Sequence, residues 1–145
     1  MTTSQEINQW LIFQKDYLGC FAHNKLPIFP KKFPKYLIVN TSGRKNGGHW
    51  VALLILNKDQ ILYFDSFGRR VTNENIKKFV SNCNDLFFNS TCLQHMKSKL
   101  CGLFCILFVK LVKNKKDYKN FLKCFNNNVN LRHNDKIVVR MLKKS

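Results

Sequence analysis

From Cys101 to Val112 the chain reads Cys-Gly-Leu-Phe-Cys-Ile-Leu-Phe-Val-Lys-Leu-Val, with Lys110 as its one charge. Wound as a helix, this run is apolar on every side, and such a helix has no face to give to water. It has to cross the middle of a domain, with the rest of the chain folded over it. It is too short for a membrane span, which needs about 20 apolar residues. A chain of 145 residues, 45% of them hydrophobic, can bury about two-thirds of its unfolded surface around such a helix. A single domain over residues 1–145 is therefore expected.

The covering elements can be read from local signals. Thr3 to Glu6 has the Thr-x-x-Glu form of a capping box, and Ile7, Trp10, Leu11 and Leu18 mark an apolar stripe that ends at Gly19, which predicts a helix over about 4–18. Tyr36 to Val39 reads as a short strand after a loop with Pro27, Pro30 and Pro34, and Asn40 to Gly48 is dense in turn formers. Trp50 to Leu56 and Gln60 to Phe64 are β-rich runs joined by Asn57-Lys58-Asp59, which suits an antiparallel hairpin. If Leu56 pairs with Gln60, Asp65 falls opposite Val51 and His49 is its diagonal neighbour on the same face, about 7 Å away. Thr72 or Asn73 can cap a helix through about Cys83, with Ile76, Phe79 and Val80 inward. Leu86 to Leu93 reads as a strand, and amphipathic helices are expected over about 115–125 and 135–143.

Twenty-five Lys and Arg against eight Asp and Glu give a formal charge of +17. That surplus points to a polyanionic partner, and nonspecific contact with DNA is the expectation. The first eight residues lack the basic start and apolar run of a secretory signal, so a protein kept inside the cell is expected, not a secreted one. Six cysteines in that setting read as free thiols, not as a disulfide framework.

Three residues share a chemistry. Cys101 opens the buried helix and is followed by Gly102; unpaired N–H groups and the positive end of the helix dipole at that position favour a thiolate nucleophile. His49 follows the Gly47-Gly48 pair, which lets a ligand backbone approach, and an imidazole near a thiol can take its proton. Asp65 can accept a bond from one ring nitrogen and fix the tautomer. Taken singly, each residue also fits a structural role: a buried inert thiol, a satisfied histidine, a turn aspartate. The hairpin register is what joins His49 to Asp65.

Five blocks in order, Ile38-Val-Asn-Thr-Ser-Gly-Arg44, Gly47-Gly-His-Trp50, Tyr63-Phe-Asp-Ser-Phe-Gly68, Gln94 and Cys101-Gly-Leu-Phe-Cys105, resemble the adenovirus-type maturation cysteine proteases, the adenains. The resemblance covers about residues 36–110. It implies an α+β fold related to papain by geometry and not by chain order, with a central mixed or antiparallel sheet and a buried helix that starts at the nucleophile. It implies a catalytic set of Cys101, His49, Asp65 and Gln94, the last in the oxyanion hole, with Gly48, Trp50 and Gly102 in support. Cleavage after small residues, typically glycine, of viral capsid or core precursors is the implied activity, in the virion and the interior of the infected cell. No cofactor is required for that chemistry. DNA and a short viral peptide are the implied activators, with Cys83 placed where the family's peptide-linking cysteine falls; a monomer away from membranes is expected. The sequence departs from the family in having Asp65 where adenains have Glu and in lacking a residue between the glycine pair and the histidine.

Two further readings stay in view. A protease for SUMO or ubiquitin-like proteins shares the chemistry and differs in substrate, and a non-enzymatic nucleic-acid-binding protein accounts for the charge. Cys20-x-x-His23 and Cys92-x-x-His95 have the ligand types of a zinc site but are some seventy residues apart, a weak signal.

Overall fold

The computed structural model describes residues 2–42, 48–125 and 130–145. In chain order the elements are α1 (Ser4–Trp10), β1 (Tyr17–Ala22), a 3-10 turn (His23–Lys25), β2 (Lys35–Asn40), β3 (Trp50–Asn57), β4 (Gln60–Phe64), α2 (Glu74–Phe79), β5 (Asp85–Phe88), α3 (Cys101–Leu111), α4 (Lys115–Lys123) and α5 (Leu131–Lys144). The strands form one sheet in the order β1-β2-β3-β4-β5. Its two outer pairings are parallel and its two inner ones antiparallel. The mixed sheet and buried helix are those of the expected α+β fold.

Strand alternation divides the sheet between two cores. Tyr36, Ile38, Trp50, Ala52, Leu54, Leu62 and Phe64 join α3 and parts of α1, α4 and α5 in one cluster. Leu37, Val39, Val51, Leu53, Ile55, Ile61 and Tyr63 pack with Ile76 and Val80 on the other face. The apolar run behaves as its composition demands: Phe104, Cys105, Ile106, Phe108 and Val109 are wholly buried. Phe64 and Phe108 stack with ring centroids 5.4 Å apart, locking the helix onto β4.

The hairpin register matches the expectation in its body, with Ala52 opposite Phe64 and Ile55 opposite Ile61. At the turn it differs, since Asn57 and not Leu56 pairs with Gln60, across a bulge. The Asn57 side chain accepts from the Asp59 N–H at 2.9 Å and donates to Gln60 Oε1, which tightens the turn to two residues.

The first helix is shorter than expected. The capping box forms, with Thr3 Oγ1 accepting from the Glu6 N–H at 3.2 Å, but the helix stops at Trp10. Tyr17–Ala22 becomes the edge strand β1, parallel to β2, because pairing there satisfies its backbone while Leu18, 41% exposed, has no core to face. Gly19, expected as a helix stop, instead occupies a strand irregularity at φ +140°. α2 ends at Phe79, well before Cys83, though Asn73 caps it as anticipated through its side-chain oxygen. β5 ends at Phe88, whereas a strand through Leu93 was expected; the buried Asn89 leaves the ladder to bond elsewhere. α5 begins one turn earlier than expected, capped by Asn130. Much of the turn-rich segment 40–48, including Gly47, lies outside the described residues.

Candidate active site

Antiparallel pairing places the start of β3 beside the end of β4, so His49, just before one, meets Asp65, just after the other. His49 Nε2 lies 2.6 Å from Asp65 Oδ1. The same carboxylate oxygen accepts the Phe67 N–H at 2.8 Å, and the Phe67 ring stacks on the imidazole at 4.8 Å. The Arg69 guanidinium covers the Phe67 ring at 5.0 Å. Asp65 is 3% exposed, and its backbone is clamped by Asn89, which accepts from the Asp65 N–H at 3.1 Å and donates to its carbonyl at 2.6 Å. Tyr118 of α4 donates to the Tyr63 carbonyl and reaches Asn89 Oδ1 at 3.1 Å. The carboxylate is thus fixed from both its side chain and its main chain.

Cys101 stands in the first turn of α3, where N–H groups have no intrahelical acceptor, and it is 3% exposed. Its Sγ faces the Gly48 carbonyl at 3.9 Å. The other ring nitrogen of His49, Nδ1, is buried and has no hydrogen-bond partner among the described residues. Burial alone would push the imidazole pKa down. The hydrogen bond to Asp65, the Cys101 sulfur and the charges of both outweigh it and raise the pKa to about 9. His49 is thus bonded to Asp65, and the Cys101 sulfur lies near enough to contribute to its raised pKa.

Gln94 is wholly buried in the loop that leads into α3. Its Nε2 donates to the Ser98 carbonyl at 2.9 Å, and its Oε1 accepts from the Ser66 hydroxyl at 2.5 Å. The Ser66 carbonyl receives the N–H groups of both Leu93 and Gln94. From α5, Asn134 Nδ2 donates to the Leu93 carbonyl at 2.9 Å.

The supporting residues have concrete tasks. Gly48 has φ +87°, and a Cβ there would fall 1.6 Å from Ser42 Oγ. A Cβ on Gly102 would meet the Thr2 side chain at 2.7 Å, so glycine lets the N-terminal segment lie against the start of α3. Trp50 fills the core and its indole donates to the Thr2 carbonyl at 3.0 Å. Cys83 is away from this group, half-buried against the cluster on the opposite sheet face, and burial raises its thiol pKa.

The two Cys-x-x-His pairs are engaged separately: Cys20 with Tyr17 and His23 with Asn75, Cys92 with the Gln94 carbonyl and His95 with the Lys97 N–H. Among the described residues no three His, Cys, Asp or Glu gather to hold a metal. No helix among them is long and apolar enough to cross a membrane. The sequence reading missed Ser66, Phe67, Asn89 and Tyr118. Asn89, the polar residue that ends the apolar Leu86-Phe-Phe88, was the one available signal.

A helix that begins at a cysteine packs across a hairpin that carries histidine and carboxylate, within the expected α+β fold. The ASFV pS273R protease has the same fold, with a TM-score of 0.52 over 96% of this chain and 64% of that one at 13% identity. No family model matches the sequence. The particular likeness is to adenovirus proteases. The protease of bovine adenovirus 2 is 30% identical over 117 residues, 63% of this chain and 56% of its own length. That of bovine adenovirus C serotype 10 is 29% identical over 138 residues, 79% of this chain and 68% of its own length. The chain thus spans a little over half to two-thirds of the length of these relatives.

Proposed function

We propose that this chain is a viral cysteine endopeptidase that cleaves capsid or core precursor proteins after small residues, glycine above all, during particle maturation. The observation that carries the reading is the divided imidazole of His49, with Nε2 bonded to Asp65 and Nδ1 buried and unpartnered. A base held in this way can take a proton through Nδ1 from a nearby thiol, and the Cys101 sulfur is among the groups that raise its pKa. The likeness to adenovirus proteases supports the same reading.

In the reaction His49 takes the Cys101 proton and the sulfur attacks the peptide carbonyl. The oxyanion is held by the Cys101 N–H and by the Gln94 amide. Collapse expels the amine, which takes its proton from His49, and leaves a thioester on Cys101. His49 then draws a proton from water, the hydroxide adds to the thioester carbonyl, and the acid departs as the sulfur regains its proton. Asp65 stabilises each imidazolium and keeps the ring oriented.

The charge of +17 supports a second element of the proposal, that DNA holds the enzyme near packaged genomes in the virion and infected cell through its dispersed lysines. A peptide activator joined at Cys83 would have to approach the sheet face opposite α3, through a thiol whose raised pKa slows exchange.

Replacing Cys101 by Ala tests the activity. Cleavage of Gly-containing peptides is expected to vanish while DNA affinity stays unchanged. Unaltered cleavage would refute the proposal, and preference for a folded ubiquitin-like fusion over the peptides would move the substrate to that class.

A further inference from the structure

We propose that the Ser66 hydroxyl is a positioning group that anchors the Gln94 amide in the orientation the Ser98 carbonyl sets, with its nitrogen end free to serve the oxyanion; the inference rests on the protease reading and deepens it. An amide serves an oxyanion hole only by donating. Turned over by 180°, it would present a carbonyl oxygen to developing negative charge and oppose the reaction it should assist. Because Gln94 is wholly buried, water cannot correct the orientation.

Two neighbours do so. The Ser98 main-chain carbonyl can only accept, so the nitrogen end must face it, at 2.9 Å. That leaves Oε1 toward Ser66, and because an amide oxygen can only accept, the hydroxyl gives it its single proton at 2.5 Å. One of the two Nε2 hydrogens is thereby spent on Ser98, and the other makes no further bond among the described residues. In the proposed reaction it is the hydrogen that meets the oxyanion. Without the hydroxyl, Oε1 would be a buried acceptor with no donor and one of the two constraints on the amide would be gone.

The main chain of Ser66 plays a separable part. Its carbonyl accepts the Leu93 N–H at 2.8 Å and the Gln94 N–H at 3.0 Å, so truncating the side chain leaves the loop tethered. Ser66 also lies between Asp65, whose Oδ1 meets His49, and Phe67, whose N–H meets the same oxygen. Three consecutive residues therefore set both the carboxylate behind the base and the donor before the oxyanion.

The test is a double-mutant cycle of Ser66→Ala with Gln94→Ala, with Ser66→Cys as the near-isosteric variant. Turnover of a Gly-containing peptide is measured beside the rate of iodoacetamide alkylation at Cys101, mapped by mass spectrometry, a reaction that needs no oxyanion hole. Ser66→Ala is expected to lower kcat about tenfold, with KM within about twofold and alkylation of Cys101 unchanged. Ser66→Cys, a weak donor, should recover part of the loss. In the Gln94→Ala background the Ser66→Ala change should have less than about a twofold effect. An undiminished kcat in Ser66→Ala, the same tenfold loss in the Gln94→Ala background, or parallel loss of Cys101 alkylation overturns the inference. A wild type that cleaves nothing overturns the protease reading and this inference with it, whereas full turnover in Ser66→Ala overturns this inference alone.

Discussion

Changing Asp65 to Asn removes one charge and almost nothing else. A single oxygen, Oδ1, accepts from both His49 Nε2 and the Phe67 N–H, and an Asn oxygen can accept both bonds with the imidazole tautomer preserved. What is lost is the stabilisation of the imidazolium. Relative to its ordinary 6.5, the His49 pKa is raised to about 9 despite burial, with the Asp65 hydrogen bond the leading cause. At about 1.4 kcal/mol per pH unit, the preference for the charged ring is worth about 3 kcal/mol. Because burial lowers the pKa, Asp65 and the Cys101 sulfur together supply more than this net, and Asp65 leads. The sign of the net follows from linkage: the folded pKa lies above the unfolded one, so the stabilisation is fully present below pH 6.5 and is lost as pH rises through about 9. Urea unfolding of wild type and Asp65→Asn should therefore differ by about 1–3 kcal/mol near pH 6, and the gap should close above pH 9. The His49 resonance should titrate near 9 in the wild type and well below that in the variant. Peptide turnover near neutral pH should fall about a hundredfold, the kinetic equivalent of the same energy. A gap that is flat with pH, or one that widens above pH 9, would show that the Asp65 charge does not stabilise the imidazolium.

Gly48→Ala should lower the melting temperature strongly, because φ is +87° and the added Cβ would overlap Ser42 Oγ; a loss of about 2 kcal/mol or more is expected by thermal denaturation. Tyr118→Phe strips the hydroxyl that joins the Tyr63 carbonyl to Asn89, and should reduce stability by about 1–2 kcal/mol in urea titrations. Because Asn89 holds the main chain of Asp65, Asn89→Ala should depress turnover more than it depresses the alkylation of exposed Cys124. DNA affinity measured by fluorescence anisotropy should fall on the order of a thousandfold between about 50 and 200 mM salt, and a flat response would remove DNA from the proposal.

The parts of this fold that were legible in the sequence are those in which local pattern and tertiary demand agree. The run from Cys101 could only be a central helix, and its partners in the structure are the apolar faces expected of it. The hairpin body was readable because β-rich apolar runs flank a polar turn, and its register brings His49 and Asp65 together. Edge strand β1 was not legible, since Ile7, Trp10, Leu11 and Leu18 have helical spacing and only pairing with β2, distant in sequence, decides against it. Ser66 and Phe67 sit in a recognisable motif yet show no task in the sequence, because their partners Gln94 and His49 lie 28 and 18 positions away. Gln94 itself was placed by resemblance alone; the residues that orient it are scattered from Ser66 to Ser98, and no local spacing links them.

In the proposed enzyme the sulfur at position 101 reacts because of its neighbours and not because of its exposure. Cys124 is exposed and Cys20, Cys83 and Cys92 are half-buried, whereas Cys101 is 3% exposed. A short peptide vinyl sulfone ending in glycine, used at one equivalent and mapped by mass spectrometry, separates the two explanations. Modification at Cys101 alone is expected, abolished in His49→Ala. Labelling that follows exposure, with Cys124 first and no dependence on His49, would contradict it.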